Sequence, residues 1–123
     1  MGSHTAYTYF AVSGDIPADI LLSALSLSEG RVKIKRGKIE IGRCNTYSVN
    51  LNDMYRETLA PLFGKERILA DLRDRYALSY YLVAVPEILR DAEAPRPILS
   101  LEPDIVEFLY RSGTEHDLDY YIL

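Results

Sequence analysis

The feature that most constrains this chain is the run Tyr76–Val85, which contains no charged residue and ends in Tyr80-Tyr81-Leu82-Val83-Ala84-Val85. An uninterrupted apolar run of this length, rich in aromatic and β-branched types, predicts a central strand. A central strand needs neighbours, and the chain supplies them. Thr5–Val12 is a second strand candidate, with Tyr7 and Tyr9 on one side and Phe10 and Val12 on the other. Arg31–Lys35 and Lys38–Arg43 form a hairpin around Arg36-Gly37. Val32 and Ile34 alternate with Arg31, Lys33 and Lys35, and Ile39 and Ile41 alternate with Lys38 and Glu40. Period-two alternation marks a sheet with one dry face and one wet face. Further strands are expected at Asn45–Leu51, Ile98–Leu101 and His116–Ile122.

Helical spacing occupies the intervals. Pro17–Ser26 buries Ile20, Leu21, Ala24 and Leu25, with Asp15 as the expected N-cap. Met54–Asp74 is expected as two helical pieces, because Pro61 and Gly64 interrupt it. Asn52 or Asp53 caps the first, and Leu59, Leu62, Phe63, Ile68, Leu69 and Leu72 face inward. Pro103–Arg111 is a helix that starts on proline, stops at Gly113 and buries Ile105, Phe108 and Leu109. Pro86–Pro97 reads as a surface connector. The order β-α-β-β-(β)-α-α-β-β-α-β predicts an α+β fold: a single mixed, twisted β-sheet with helices packed on a face. At 123 residues this is one domain, 1–123. Residues 1–4 have the composition of an appended remnant, and no weight is placed on them.

The formal net charge of −4 provides no bulk attraction to nucleic acid or an anionic membrane. The one cysteine, Cys44, cannot form an internal disulfide, which fits a reducing compartment. No apolar run approaches the about 20 residues that span a bilayer, and the N-terminus does not read as a charged-then-apolar leader. A cytoplasmic protein is expected.

The closing block Pro97–Tyr121 contains a short strand, a helix, a glycine and a strand with an Asp-x-Asp-x-Tyr pattern: Asp117, Asp119 and Tyr121. The opening has an aromatic strand, Gly14-Asp15 and a helix containing Ile20 and Leu25. Between them lie the Lys35-Arg36-Gly37-Lys38 turn and the polar-aromatic Thr46-Tyr47-Ser48 stretch. In these elements the chain resembles a bacterial family called domain of unknown function 4279, over nearly its whole length. The resemblance implies a fold and a bacterial cytoplasmic origin, and it implies no mechanism.

The charges are segregated. Arg31–Arg43 holds six basic residues against Glu40, and Ser100–Leu123 holds six acidic residues against Arg111. The basic hairpin, with Lys33 and Lys35, is either a surface for an acidic partner or phosphate, or a solvated edge whose lysines deter strand pairing. Glu115, Asp117 and Asp119 share one side of a strand, with His116 on the other. They could hold Mg²⁺ or Ca²⁺, or form a solvated acidic stripe. Asp119 is expected to be partly buried among Leu118, Tyr120 and Ile122, in need of donors. Of the ten tyrosines, Tyr7, Tyr9, Tyr80 and Tyr81 could form an aromatic platform or an interface, or lie at a half-buried core rim. With no RNP-like string, nucleic acid ranks last as a partner.

Neither Gly-x-Ser-x-Gly nor a phosphate-loop or dinucleotide fingerprint occurs, and Cys44 reads as a small buried hydrophobe. No catalytic residue, metal ligand or cofactor is expected. The sequence predicts a protein-interaction module, in concrete form an immunity (antitoxin-like) protein of a bacterial toxin system. Its expected partner-binding residues are Asp117, Asp119, Tyr121, Tyr7, Tyr9, Lys33 and Lys35. The alternative is a small-ligand or divalent-metal-dependent enzyme with its carboxylates on the last strand. A third reading is a homodimer built through strand edges.

Overall fold

A computed structural model describes residues 3–123. Met1 and Gly2, half of the segment treated above as a remnant, lie outside the described residues. The elements are β1 (Thr5–Ser13), α1 (Ala18–Leu25), β2 (Val32–Lys35), β3 (Lys38–Cys44), α2 (Leu51–Leu59), α3 (Glu66–Tyr76), β4 (Ser79–Ile88), α4 (Pro103–Ser112), β5 (Thr114–Leu118) and β6 (Tyr121–Ile122). They make one mixed sheet in the order β2-β3-β1-β4-β5, with β6 also pairing β4. The expected α+β architecture is present.

β1 pairs antiparallel with β3 and with β4, and β5 and β6 run parallel to β4. β4 is thus the internal strand that its composition predicts. Side-chain alternation sorts the sheet into two faces. Thr8, Phe10 and Val12 of β1 stand beside Ala84, Leu82 and Tyr80 of β4. Phe10, Val12, Tyr80, Leu82 and Ala84, with Ile39, Ile41 and Cys44, join Leu21, Leu25, Met54, Leu59, Leu69, Ile105 and Phe108 of the helices in one core. Each fully buried Leu or Phe contributes about 1.5–3 kcal/mol to folding. Ala11, Val83 and Val85, of opposite parity, are buried yet lie outside that core. They belong to the sheet's other face, which carries no helix among the described residues.

Several boundaries differ from the sequence reading. Asn45–Leu51 and Ile98–Leu101 form no strands, only a single bridge between Asn50 and Ile98. Pro17, rather than Asp15, occupies the N-cap of α1, with no side-chain cap. Asn50 caps α2 by accepting the Asn52 N–H, which frees Asn52 for a buried contact with Glu102 at the start of α4. Ile20 and Ile68 are exposed, because neighbouring helices cover only part of each apolar stripe. Tyr76 ends α3, and β4 continues through Pro86 to Ile88. Proline has no N–H to offer a neighbouring strand. The last strand breaks into β5 and β6 at Asp119–Tyr120, the residues that pass Val85 and Pro86.

His4, given no weight in the sequence reading, is buried. Its Nδ1 accepts the Leu89 N–H at 3.0 Å and its Nε2 lies 3.1 Å from the Ala94 carbonyl, so the ring spans the 89–94 loop.

Candidate functional site

The helix-free sheet face is the candidate site. Its rows follow from the register. Lys33 of β2 pairs with Glu40, Glu40 with Ala11, Ala11 with Tyr81, and Tyr81 with Glu115. One row over, Tyr9 stands beside Val83 and Val83 beside Asp117. Tyr7 stands beside Val85, and Thr5, Glu87 and Tyr121 close the face at its far end. Strands about 4.8 Å apart place β5 roughly 19 Å from β2.

One half of the face is basic. Lys33, Lys35, Lys38 and Arg43 surround Glu40, whose side chain is only 1% exposed. Its carboxylate meets Lys35 Nζ at 2.9 Å, Arg43 Nη1 at 3.3 Å and Lys38 Nζ at 3.8 Å. Burial pushes the Glu40 carboxyl up, but the Lys35 hydrogen bond and the charges of Lys35, Arg43 and Lys38 outweigh it and hold the group below its ordinary value. Three cations around one anion leave the cluster positive.

Arg43 reaches this face through a bulge. Phe10 pairs with Ile41 but Thr8 pairs with Cys44, so β3 holds one extra residue there. Gly42 supplies the positive φ of 68° that the bulge needs, against the Thr58 carbonyl of α2. Strict alternation would send Arg43 into the core beside Ile41. The bulge instead puts Cys44 there and swings Arg43 over Tyr7, 4.2 Å from guanidinium carbon to ring centroid. Lys38 lies 4.9 Å above the Tyr9 ring, and Tyr7 and Tyr9 stack at 6.2 Å with 15° between planes. Each cation–π contact contributes about 0.5–1 kcal/mol at an exposed site and fixes the aromatic rotamers.

The other half is acidic. Glu115, Asp117 and Asp119 are exposed along β5 and its end. Asp119 does not sit among packed side chains as expected. Leu118, Tyr120 and Ile122 are themselves exposed, since no element among the described residues covers this edge. Its carboxylate instead accepts the Tyr121 hydroxyl at 3.3 Å, and its N–H bonds the Ala84 carbonyl. The Asp119 charge and that hydrogen bond push the Tyr121 phenol up. Successive carboxylates on one side of an extended strand stand about 6.6 Å apart. Among the described residues no three His, Cys, Asp or Glu side chains are grouped so as to hold a metal ion.

Comparison with protein-family models, with curated proteins and with solved structures finds no match.

All seven residues expected to bind a partner, Asp117, Asp119, Tyr121, Tyr7, Tyr9, Lys33 and Lys35, belong to this one face or its rim. Tyr80 leaves the platform: it is buried toward the helices and donates its hydroxyl to the Leu69 carbonyl at 2.7 Å. His116 also points to the helix side, where Tyr55 meets it. Tyr81, named with the aromatic platform, does lie on this face, and the sequence reading left Lys38 and Arg43 out of the partner-binding set. Gly42 inside a strand pattern was the available signal for Arg43, since a lone strand glycine marks a bulge. Cys44 is buried, and burial pushes its thiol up, against a weaker opposing effect of a backbone hydrogen bond with Thr46. A cavity of about 590 Å³ lies between the 89–94 loop and Leu123 and is lined by none of the seven residues.

Proposed function

We propose that the chain is a protein-interaction module that receives its partner on the helix-free sheet face, and that its concrete form is an antitoxin-like immunity protein of a bacterial toxin system. The observation that carries the reading is the arrangement of that face: a tyrosine floor between a basic flank and an acidic flank. Aromatic residues provide much of the binding energy in protein interfaces. Tyr7 and Tyr9 are held by Arg43 and Lys38, so little side-chain freedom remains to be lost on binding. Opposed charges raise the encounter rate and fix the orientation of a partner, and the carboxylates of Glu115, Asp117 and Asp119 suit a basic toxin site. Membership of the domain of unknown function 4279 family and a bacterial cytoplasmic origin belong to the same proposal.

The test is co-expression with the protein encoded beside this chain. That protein alone should arrest growth, and the pair should grow. In calorimetry, Asp117→Asn with Asp119→Asn should weaken the complex tenfold or more. A harmless neighbour, or unchanged affinity in the double variant, overturns the proposal.

A further inference from the structure

The charge on the bare face changes sign across its midline. Lys33, Lys35, Lys38 and Arg43 less Glu40 leave a net of +3 on the β2–β3 side. Glu115, Asp117 and Asp119 make −3 on the β5 side, and Glu87 adds a fourth negative charge near the end of that half. The strip between them is Ala11, Val83 and Val85, framed by Tyr7, Tyr9 and Tyr81. A face of this kind is complementary to itself. Rotation by 180° about an axis lying in the interface and parallel to the strands exchanges the two sides while turning the molecule over. It sets the basic flank of one copy on the acidic flank of the other, twice. The same rotation about an axis across the strands would set like on like.

We infer that the occupant of this face in the free protein is a second copy of the chain, docked sheet to sheet about that two-fold axis. That rotation keeps the rows in step, so Lys33 and Lys35 of each copy meet the Glu115 end of the other's acidic flank, and Arg43 meets Asp117 and Asp119. Two sheets pack about 10 Å apart with strands about 30° from parallel. The tyrosines fill the middle, as aromatics do at isologous interfaces. Five strands by about six residues give a face of roughly 500 Å². That is smaller than the about 800 Å² per partner of a standard interface, so the dimer is expected to be weak, with micromolar or poorer affinity. If the chain also binds a toxin-like partner on this face, dimer and complex compete.

Sedimentation equilibrium tests this on the whole chain. The apparent mass should rise from 14.0 kDa toward twice that value as concentration increases, and should fall back in about 0.5 M salt, where the screening length is only about 4 Å. The pair Lys33→Glu and Lys35→Glu should weaken self-association at least tenfold, as should Asp117→Lys with Asp119→Lys. An equimolar mixture of the two variants should recover it, with circular dichroism confirming that both are folded. Three results overturn the inference: a chain monomeric up to about 1 mM, a range that covers even weak affinities; a dimer insensitive to Asp117→Lys with Asp119→Lys, as pairing through the β2 edge would be; or a mixture that stays monomeric. Partner binding retained by a strictly monomeric chain would remove the dimer and leave the interaction module standing.

Discussion

The Tyr55 hydroxyl lies 2.6 Å from His116 Nε2, with the two rings edge to face at 5.5 Å. This contact ties α2 to β5 from the helix side, directly behind the strand that displays Glu115 and Asp117. Tyr55 is fully buried, and burial first, then the Asp117 charge, holds its phenol above the ordinary tyrosine range, so it keeps its proton. Tyr55→Phe should cost about 1 kcal/mol and speed amide exchange along β5. Unaltered urea unfolding and unaltered β5 exchange would show that the contact contributes nothing.

Acid should destabilise the chain in two stages. Burial holds His116 below its ordinary value of 6.5, with the Asp117 charge acting in the opposite direction. The unfolded chain therefore takes up the His116 proton first, and the stability present above 6.5 is lost as pH falls through the folded value. Glu40 is held below its ordinary 4.5 in the fold, so its contribution is present above 4.5 and is lost as pH falls further. Thermal melts across this range should show the upper stage vanish in His116→Asn and the lower stage shrink in Glu40→Gln. A melting temperature that does not fall between neutral pH and about pH 5 contradicts the His116 assignment.

Gly42 cannot accept a side chain. A Cβ there would run into the Thr58 carbonyl while the backbone stays at a φ of 68°. Gly42→Ala should cost about 3 kcal/mol from strain and overpacking combined. It should also disturb Arg43 on the opposite face. An urea midpoint within error of the native chain would mean that the bulge relaxes without consequence.

His4 predicts a local effect. His4→Ala removes the acceptor of the Leu89 N–H and the contact to the Ala94 carbonyl. The Leu89 amide should exchange about tenfold faster, the equivalent of about 1.4 kcal/mol, while amides of β1 and β4 hold. Equal exchange at Leu89 would free the 89–94 loop from any dependence on this ring.

Side-chain parity was readable without coordinates. Period two alone puts Tyr7 with Tyr9, Glu115 with Asp117, and His116 against them. The Arg36-Gly37 turn and the glycine stop at Gly113 were readable for the same reason, since turn and cap chemistry act over a few residues. Parity was not enough where the chain departs from regular alternation. At Gly42 the bulge shifts Arg43 to the bare face and Cys44 to the core. At Asp119–Tyr120 the last strand breaks, and Asp119 stays in solvent.

By itself the sequence determined the α+β class, the internal position of β4 and the two-sidedness of each strand, because these follow from local periodicity and from the apolar content of single segments. The tertiary structure decided the rest. Strand order places the basic hairpin and the acidic strand at opposite edges of one sheet, and helix docking covers one face and leaves the other bare. Both are settled by burial between residues far apart in the chain, such as Phe10 against Phe108 and Thr8 against Thr58, and a local pattern does not carry that information.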